Sequence, residues 1–204
     1  MTRRMKPSSD LPNHVGAPLP DVVVVDACVL LNLYASGRVE EILTSVHSCC
    51  LVSRYVCREA LWFLASTGQA GDKMERSAIV LDPLVRSGLL TIVDLTLDEQ
   101  RLFVVLAQEL GDGEAASGAL AICRSAGLAT DDSRARQVFG RQMPPVRVIG
   151  TATLLRLWES SLGVDASTVA TTLKSIRLGA RFHPRSDDED ATWWRNRIRG
   201  ISNE

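Results

Sequence analysis

The chain lacks three features that would settle its class at once: a long apolar run, a strong excess of one charge, and regularly spaced cysteines or histidines. Of its 204 residues, 46% are hydrophobic and 23% are charged, and the net charge at pH 7 is −1. No apolar run approaches the roughly 20 residues that span a bilayer, and the amino terminus lacks a signal-peptide core. We therefore expect a cytoplasmic protein without membrane contact, in which any nucleic-acid binding comes from local patches of charge.

Cysteine and histidine give no sign of a zinc site or of a disulfide framework. The five cysteines contain no Cys-x-x-Cys spacing and the three histidines lie far apart; they are Cys28, Cys49, Cys50, Cys57 and Cys123, and His14, His47 and His183. Such spacing argues against a zinc site and against a disulfide framework. Any metal site in this chain is therefore expected to use oxygen ligands.

The stretch from Asp21 to Leu33 organises the rest of the chain. Four consecutive valines, Val22 to Val25, favour a strand that is covered on both faces, as in a parallel sheet. The run stops at Asp26 and continues as a helix-forming set of apolar residues. Asp26 is thus expected where a strand turns into a helix, which is the edge of an α/β sheet at which ligands bind.

Strand and helix patterns alternate along the remaining chain. Strands are expected at 50–53, 89–94, 128–130 and 146–149. Helices are expected at 39–46, 55–65, 96–110, 114–121, 151–158 and 166–176, and another is expected to begin at residue 133. A weaker helix is expected at 72–80, after a loop at 67–71. This alternation predicts an α/β protein, a three-layer α/β/α sandwich with a mainly parallel sheet and extra C-terminal helices. The length suits one domain, with a flexible segment at 1–20, a core at 21–150 and a helical extension at 151–204 packed on the same domain.

Four acidic residues are expected to converge at one edge of this sheet: Asp26, Glu59, Glu114 and Asp131. Each also has an ordinary explanation, since Glu59 fits a helix boundary or buried ion pair, Glu114 a first-turn acid and Asp131 a helix N-cap. Together they would repel strongly unless a cation lies among them. Oxygen-only ligation indicates a hard divalent ion, Mg²⁺ or Mn²⁺.

Other classes of enzyme fit the sequence less well. A dinucleotide-binding fold needs glycines directly after the first strand, where this chain has Asp26-Ala-Cys28, and no P-loop or Gly-x-Ser-x-Gly motif is present. Phosphatases of the haloacid dehalogenase type share a strand that ends in aspartate, but they require a second acid where Cys28 stands.

The ordered set Asp26, Glu59, Gly113-Glu114-Ala115 and Thr130-Asp131-Asp132 resembles the PIN domain, a family of metal-dependent nucleases that act on RNA. The resemblance implies a three-layer α/β/α fold and hydrolysis of RNA phosphodiester bonds. It also implies that Asp26, Glu114 and Asp131 hold Mg²⁺ or Mn²⁺. Glu59 would ligate through water or orient the nucleophile, and Asp132 would be a lesser ligand or a helix cap.

The chain departs from the family pattern at Cys28, where members usually have Ser, Thr or Asn as a hydrogen-bond donor near the metal. A thiol is a weak donor, so Thr130 or Thr151 is expected to compensate. Arg134 and Arg136 are candidates for contacts with RNA phosphates, with a solvated helix face as the alternative. The tandem Trp193 and Trp194 beside arginines either stack on bases or dock a C-terminal tail, and docking is the more common use.

The resemblance leaves the biological role open. Many PIN proteins are toxins of toxin–antitoxin pairs, usually homodimers that a small antitoxin protein inhibits. The length of this chain also suits an RNA-processing nuclease outside such a pair. A non-catalytic nucleic-acid-binding module is a third alternative, because Cys28 and the near-neutral charge weaken the case for an enzyme.

Overall fold

The computed structural model describes residues 18–59, 61–66, 74–142 and 145–200. The strands in chain order are β1 (Val22–Val25), β2 (Cys49–Ser53), β3 (Trp62–Ser66), β4 (Met74–Ala78), β5 (Thr91–Val93), β6 (Gly127–Ala129) and β7 (Val148–Ile149). The helices are α1 (Ala27–Ala35), α2 (Val39–Val46), α3 (Arg54–Arg58), α4 (Asp82–Arg86), α5 (Leu97–Leu106), α6 (Asp112–Cys123), α7 (Ser133–Phe139), α8 (Thr151–Leu162), α9 (Ala166–Gly179) and α10 (Ala191–Arg199).

The valine strand β1 lies at the centre of a parallel sheet. Within the described residues this sheet has five strands in the order β5-β2-β1-β6-β7. Val24 pairs with Leu51 of β2 on one side and with Leu128 of β6 on the other, both in parallel register. Because β1 and β6 are parallel neighbours, the residues that follow them meet at one edge of the sheet.

Helices cover both faces of this sheet. Val23 and Val25 face a core formed with α1, α2, α8 and α9, whereas Val24 faces a second core formed with α5, α6 and α7. Alternate residues of a strand point to opposite faces, so a run of valines is the composition that fills both cores. The predicted three-layer α/β/α fold with a parallel sheet is confirmed.

Helix α6 approaches the sheet closely because its residues are small. Ala115, Ala116 and Ala119 are fully buried against the second core. At Gly118 a side chain would collide with the ring of Phe139 from α7. The helix that carries Glu114 is therefore packed tightly between the sheet and α7, which fixes where its first turn lies.

Two predicted helices are wrong. The described part of 55–65 contains most of the short helix α3, which ends at Arg58, and then strand β3, and the described part of 72–80 contains strand β4. The two strands pair antiparallel, from Trp62 opposite Ala78 to Ser66 opposite Met74. An apolar run of five residues fits either structure, and the pairing with a distant segment decides for strand. Glu59 therefore follows a helix in extended conformation, with ψ of 135°, rather than lying within one.

The loop predicted at 67–71 and most of the flexible segment predicted at 1–20 lie outside the described residues, whereas 18–20 form no regular structure. The C-terminal helices pack on the rest of the protein, α8 against α2 and α10 against α8 and α9. Trp194 of α10 is 2% exposed, so it serves to dock this helix. In the described parts of the chain, no helix combines the length and apolar character that a membrane crossing requires.

Candidate active site

Asp26 stands at the carboxyl end of β1, buried at 2% exposure. Its backbone N–H donates to the carbonyl of Ala129 in β6 at 3.0 Å, which fixes it at the sheet edge. Its carboxylate accepts three hydrogen bonds, from Thr130 Oγ1 at 3.0 Å, from Cys28 Sγ at 3.5 Å and from Ser117 Oγ at 3.5 Å. The side chain is therefore held from three elements, α1, α6 and the end of β6.

Cys28 and Thr130 both donate a hydrogen bond to the carboxylate of Asp26. Burial and the charges of Asp26 and Asp131 raise the pKa of the Cys28 thiol to about 12, so it stays protonated. Its sulfur accepts a hydrogen bond from the backbone N–H of Asp131 at 3.3 Å. A thiol is the weaker donor, so Thr130 gives the stronger hydrogen bond to Asp26.

The neighbours Asp131 and Asp132 have different surroundings. The carboxylate of Asp131 accepts hydrogen bonds from Thr151, through both its backbone N–H at 3.0 Å and its hydroxyl, and from Asn32 Nδ2 at 2.9 Å. Asp132 caps α7, accepting from the backbone N–H groups of Arg134 and Ala135 at 2.8 Å. Asp131 is thus tied to the start of α8, whereas Asp132 takes the N-cap position.

Glu59 and Glu114 meet at the first turn of α6. One carboxylate oxygen of Glu114 accepts the backbone N–H of Gly111 at 3.2 Å. Glu59 lies so close to Gly113 that a β-carbon there would collide with its carboxylate. Both acids lie at the positive end of the α6 dipole, which favours negative charge at this place.

The acidic cluster, defined as Asp26, Glu59, Glu114 and Asp132, is coupled electrostatically. Burial is the main cause that raises the pKa of Asp26, Glu59 and Glu114. The negative charge of Asp132 further raises the pKa of Asp26 and Glu114, and the charge of Asp26 raises that of Glu59 and Glu114. These carboxylates converge at the sheet edge and destabilise one another when ionised.

Burial also raises the pKa of Asp131, while hydrogen bonds from Thr151 and Asn32 and the charge of Arg136 lower it. Thr151 therefore supports Asp131 rather than Asp26. This network is separate from the one around Asp26, although Cys28 touches both.

The donor chemistry of the cluster suits a hard divalent cation, because its ligands are carboxylate oxygens and its charges repel. Among the described residues, no three His, Cys, Asp or Glu side chains stand close enough together to hold a metal ion. Asp26 and Asp132 each keep an oxygen with spare acceptor capacity.

The two arginines predicted to contact RNA differ in their freedom. Arg134 is exposed at the start of α7. Arg136 donates to the carbonyl of Thr130 at 3.1 Å and to Asp188 Oδ2 at 3.2 Å, so its guanidinium connects the sheet edge to the C-terminal segment. Arg134 is the one whose surroundings leave it available to a phosphate.

Ser117 and Asn32 are site residues that the sequence prediction missed. Ser117 lies three positions after Glu114, which is about one helical turn. This spacing puts both side chains on the same face of the helix and was the signal in the sequence. Asn32 is a buried polar residue in an apolar helix and donates to both Asp131 and Thr151. A polar residue among Val29, Leu30 and Leu33 was the available signal.

Comparison with known proteins identifies the family of this chain. No curated protein matches the sequence. The sequence model of the PIN domain matches residues 22–184, which include Asp26, Glu59, Glu114, Asp131 and Asp132. PIN domains are generally nucleases and typically use divalent metal ions. Because this match covers well over half of its length, the chain belongs to the PIN-domain family.

Proposed function

We propose that the protein is a metal-dependent endoribonuclease that hydrolyses RNA phosphodiester bonds at the acidic cluster. The observation that carries the proposal is the convergence of Asp26, Glu59, Glu114 and Asp132 at one sheet edge, where burial and neighbouring carboxylates raise the pKa of Asp26, Glu59 and Glu114. Like charges at a partly buried site are relieved by a cation. The membership of the chain in a family of nucleases supports the same conclusion.

Asp26, Glu114 and Asp132 are the side chains that would hold Mg²⁺ or Mn²⁺, with Asp131 as a further predicted ligand. When bound, such an ion supplies Lewis-acid polarisation of a phosphate oxygen and lowers the pKa of a nearby water. Thr130, Cys28 and Ser117 hold the carboxylate of Asp26 in a fixed orientation toward the site.

Glu59 is the residue best suited to take a proton from the attacking water. Burial and the charges of Asp26 and Glu114 raise its pKa, which makes its carboxylate a stronger base. The water oxygen forms a bond to phosphorus while the bond from phosphorus to the 3′ oxygen breaks, and the leaving oxygen takes up a proton from solvent. The products are a 5′-phosphate and a 3′-hydroxyl.

The test is cleavage of single-stranded RNA by the parent protein and by Asp26→Asn, in preparations free of host nucleases. We expect the parent to cut with Mg²⁺ or Mn²⁺ and the variant to lose at least about a hundredfold in rate, since it removes a charge from the metal site. Asp98→Asn is the matched control, because Asp98 is exposed on α5 and distant from the cluster. Cleavage by Asp26→Asn at the parental rate refutes the proposal.

Asp131→Asn separates two roles for the neighbouring acid. If Asp131 holds the ion, the variant loses activity and the stabilisation that Mg²⁺ or Mn²⁺ gives in thermal unfolding. If it acts only through Thr151 and Asn32, the variant loses folding stability and keeps the stabilisation by metal.

A non-catalytic RNA-binding module is the second candidate, favoured by the lack of three assembled ligands among the described residues. Metal titration discriminates between the two. A protein that gains no thermal stability from Mg²⁺ or Mn²⁺, and binds RNA equally well with chelator, is a module of this kind.

We extend the proposal as follows: the protein is the toxin of a toxin–antitoxin pair, acts as a homodimer and is inhibited by a small antitoxin protein. The support is the family resemblance. The test is growth on expression: toxicity that Asp26→Asn abolishes favours the toxin, and harmless expression of an active nuclease favours RNA processing.

A further inference from the structure

A basic cleft lies between the end of α9 and helix α10. It has a volume of about 580 Å³, and its floor is apolar, formed by Ala191, Trp194 and Ile198. Three arginines line its walls: Arg177, Arg195 and Arg199. No aspartate or glutamate is among the described residues that line it. The basic cleft is therefore a concentration of positive charge in a chain whose net charge is −1.

The arginines of this cleft differ from those nearby in lacking acidic partners. Arg156 pairs with Asp190 at 2.8 Å, and Arg197 pairs with Glu159 at 2.7 Å. In the described part of the chain, no ion pair joins Arg177, Arg195 or Arg199 to a carboxylate. Their charge is left to be neutralised from outside, which is the electrostatic signature of a polyanion site.

The tryptophans of α10 fix this helix in place. Trp194 is buried and meets Phe182 edge to face, with ring centroids 5.5 Å apart. Trp193 donates from its indole nitrogen to Glu159 at 2.7 Å. Trp194 is thus used in docking, and Trp193 is not among the residues that line the basic cleft. A ligand in the basic cleft is therefore recognised through its charges and not through base stacking.

The basic cleft is connected to the acidic cluster by one loop. His183, Pro184 and Ser186 line the basic cleft. The intervening Arg185, with Asp187 and Asp188, lines a second cleft of about 520 Å³ that also contains Arg134 and Arg136. Asp188 binds Arg136, and Arg136 binds the carbonyl of Thr130 beside Asp26. The two clefts are thus lined by consecutive residues of one loop, which leads from the basic cleft to Arg136 and the residue beside Asp26.

We propose that the basic cleft binds backbone phosphates of a single-stranded RNA substrate, several nucleotides away from the bond that is cut. This inference rests on the proposed nuclease function and adds a second contact surface to it. RNA is the occupant that the observations favour, because the cations are unpaired and one loop connects the cleft to the acidic cluster. The contact is independent of base sequence, since phosphates supply the recognition.

The experiment measures binding of a labelled single-stranded RNA by the Asp26→Asn protein, so that no cleavage occurs. The triple variant Arg177→Gln, Arg195→Gln and Arg199→Gln is compared in that background with a matched triple at exposed arginines elsewhere, Arg86→Gln, Arg101→Gln and Arg141→Gln. We expect only the cleft triple to weaken binding, by at least about tenfold at physiological salt. In a plot of the logarithm of affinity against the logarithm of salt concentration, the slope of the cleft triple should be shallower than that of the parent by about 2, since each lost phosphate contact removes about 0.7.

A second measurement uses proteins with an intact acidic cluster. The cleft triple should raise KM for long RNA and leave kcat and the cleavage of a short oligonucleotide unchanged. If the parent cuts no RNA, the nuclease proposal fails while the binding assay still decides the cleft. Unchanged RNA affinity and salt slope in the cleft triple overturn the inference, as does an equal loss in the matched triple. Loss of binding to a poly-glutamate peptide with RNA binding retained assigns the cleft to an acidic protein and also overturns it.

Discussion

The acidic cluster and the basic cleft carry opposite charges and are built in opposite ways. The cluster gathers carboxylates on a rigid sheet edge, where hydrogen bonds from Thr130 and Ser117 hold Asp26. In the cleft, arginines lie on the outer surface of helices, and the buried Trp194 docks α10 on the rest of the protein. Chemistry requires fixed ligands, whereas contact with a flexible phosphate backbone tolerates long mobile side chains.

Both sites gather charges of one sign. Arg124, by contrast, pairs with the buried Glu99 at 2.7 Å. Among the described residues, no ion pair joins the carboxylates of the cluster or the three arginines of the cleft to an opposite charge. Uncompensated charge of one sign at one place is therefore the feature that marks both as sites for outside ligands.

Among the changes that test this comparison, Thr130→Val is expected to have the largest effect, because it loosens the rigid acidic cluster. The change removes the hydrogen bond to Asp26 with little change of shape, and outer partners of metal ligands are typically worth about 10–100-fold in activity. The loss is measured as kcat/KM for RNA. Thr172→Val is the control, because Thr172 is also buried and bonds only the backbone of Thr168. Equal activity of the two variants contradicts the role of Thr130.

Gly113→Ala should lower activity by about tenfold by displacing Glu59. The added methyl occupies the space of the Glu59 carboxylate, and that side chain can move aside. Alanine is the better helix former, so folding stability should hold or rise while activity falls. Gly111→Ala is the control, since a β-carbon there has ordinary contact with Glu114 at 3.8 Å. Thermal unfolding and kinetics are measured together, and full activity of Gly113→Ala argues against a role for Glu59.

The sheet was predictable from the sequence because its signals are local. Four valines that end in Asp26 specify a buried strand and its edge, and the helix predicted from residue 96 begins at a capping box formed by Thr96 and Glu99. The β3–β4 pair was not predictable in this way. Trp62 to Ser66 has no strand preference that outweighs a helical one, and its structure depends on partners at Met74 to Ala78.

The candidate site was predictable in composition and less so in detail. The strand end at Asp26 and the helix start at Glu114 were predicted, whereas Glu59 was predicted within a helix and instead follows α3 in extended conformation. The different surroundings of Asp131 and Asp132 were not visible, because they depend on where α8 begins in space. Only that packing gives Asp131 the backbone N–H of Thr151, twenty residues further along the chain.

The pH dependence of stability should separate buried acids from surface acids. Burial raises the pKa of Asp26 above its ordinary value of 3.8, so the folded protein holds this proton more tightly than the unfolded chain. Its contribution to stability is complete below that pH and is lost as the pH rises through the raised pKa. Relative to Asp26→Asn in chelator, the parent should therefore become less stable as the pH rises above 3.8.

Asp94→Asn is the control of opposite sign for this experiment. The hydrogen bond from Arg54 lowers the pKa of Asp94, so its contribution is present above the ordinary value and lost as the pH falls. Denaturant unfolding across the acid range measures both differences. A parent that does not lose stability relative to Asp26→Asn as the pH rises contradicts the assignment of Asp26 as a carboxylate destabilised by burial.

The smallest effect is expected from Asp188→Asn, which loosens the connection between cluster and cleft. Asp188 is 8% exposed and its pair with Arg136 at 3.2 Å holds the loop against the sheet edge. Because Arg136 is partly solvated, the expected loss of unfolding free energy is about 1 kcal/mol. Asp187→Asn is the control, since its pair with Arg185 is exposed and should contribute almost nothing. If the loop aligns the two sites, Asp188→Asn should also raise KM for long RNA more than for a short oligonucleotide. An equal rise in KM for both lengths shows that the loop only adds stability.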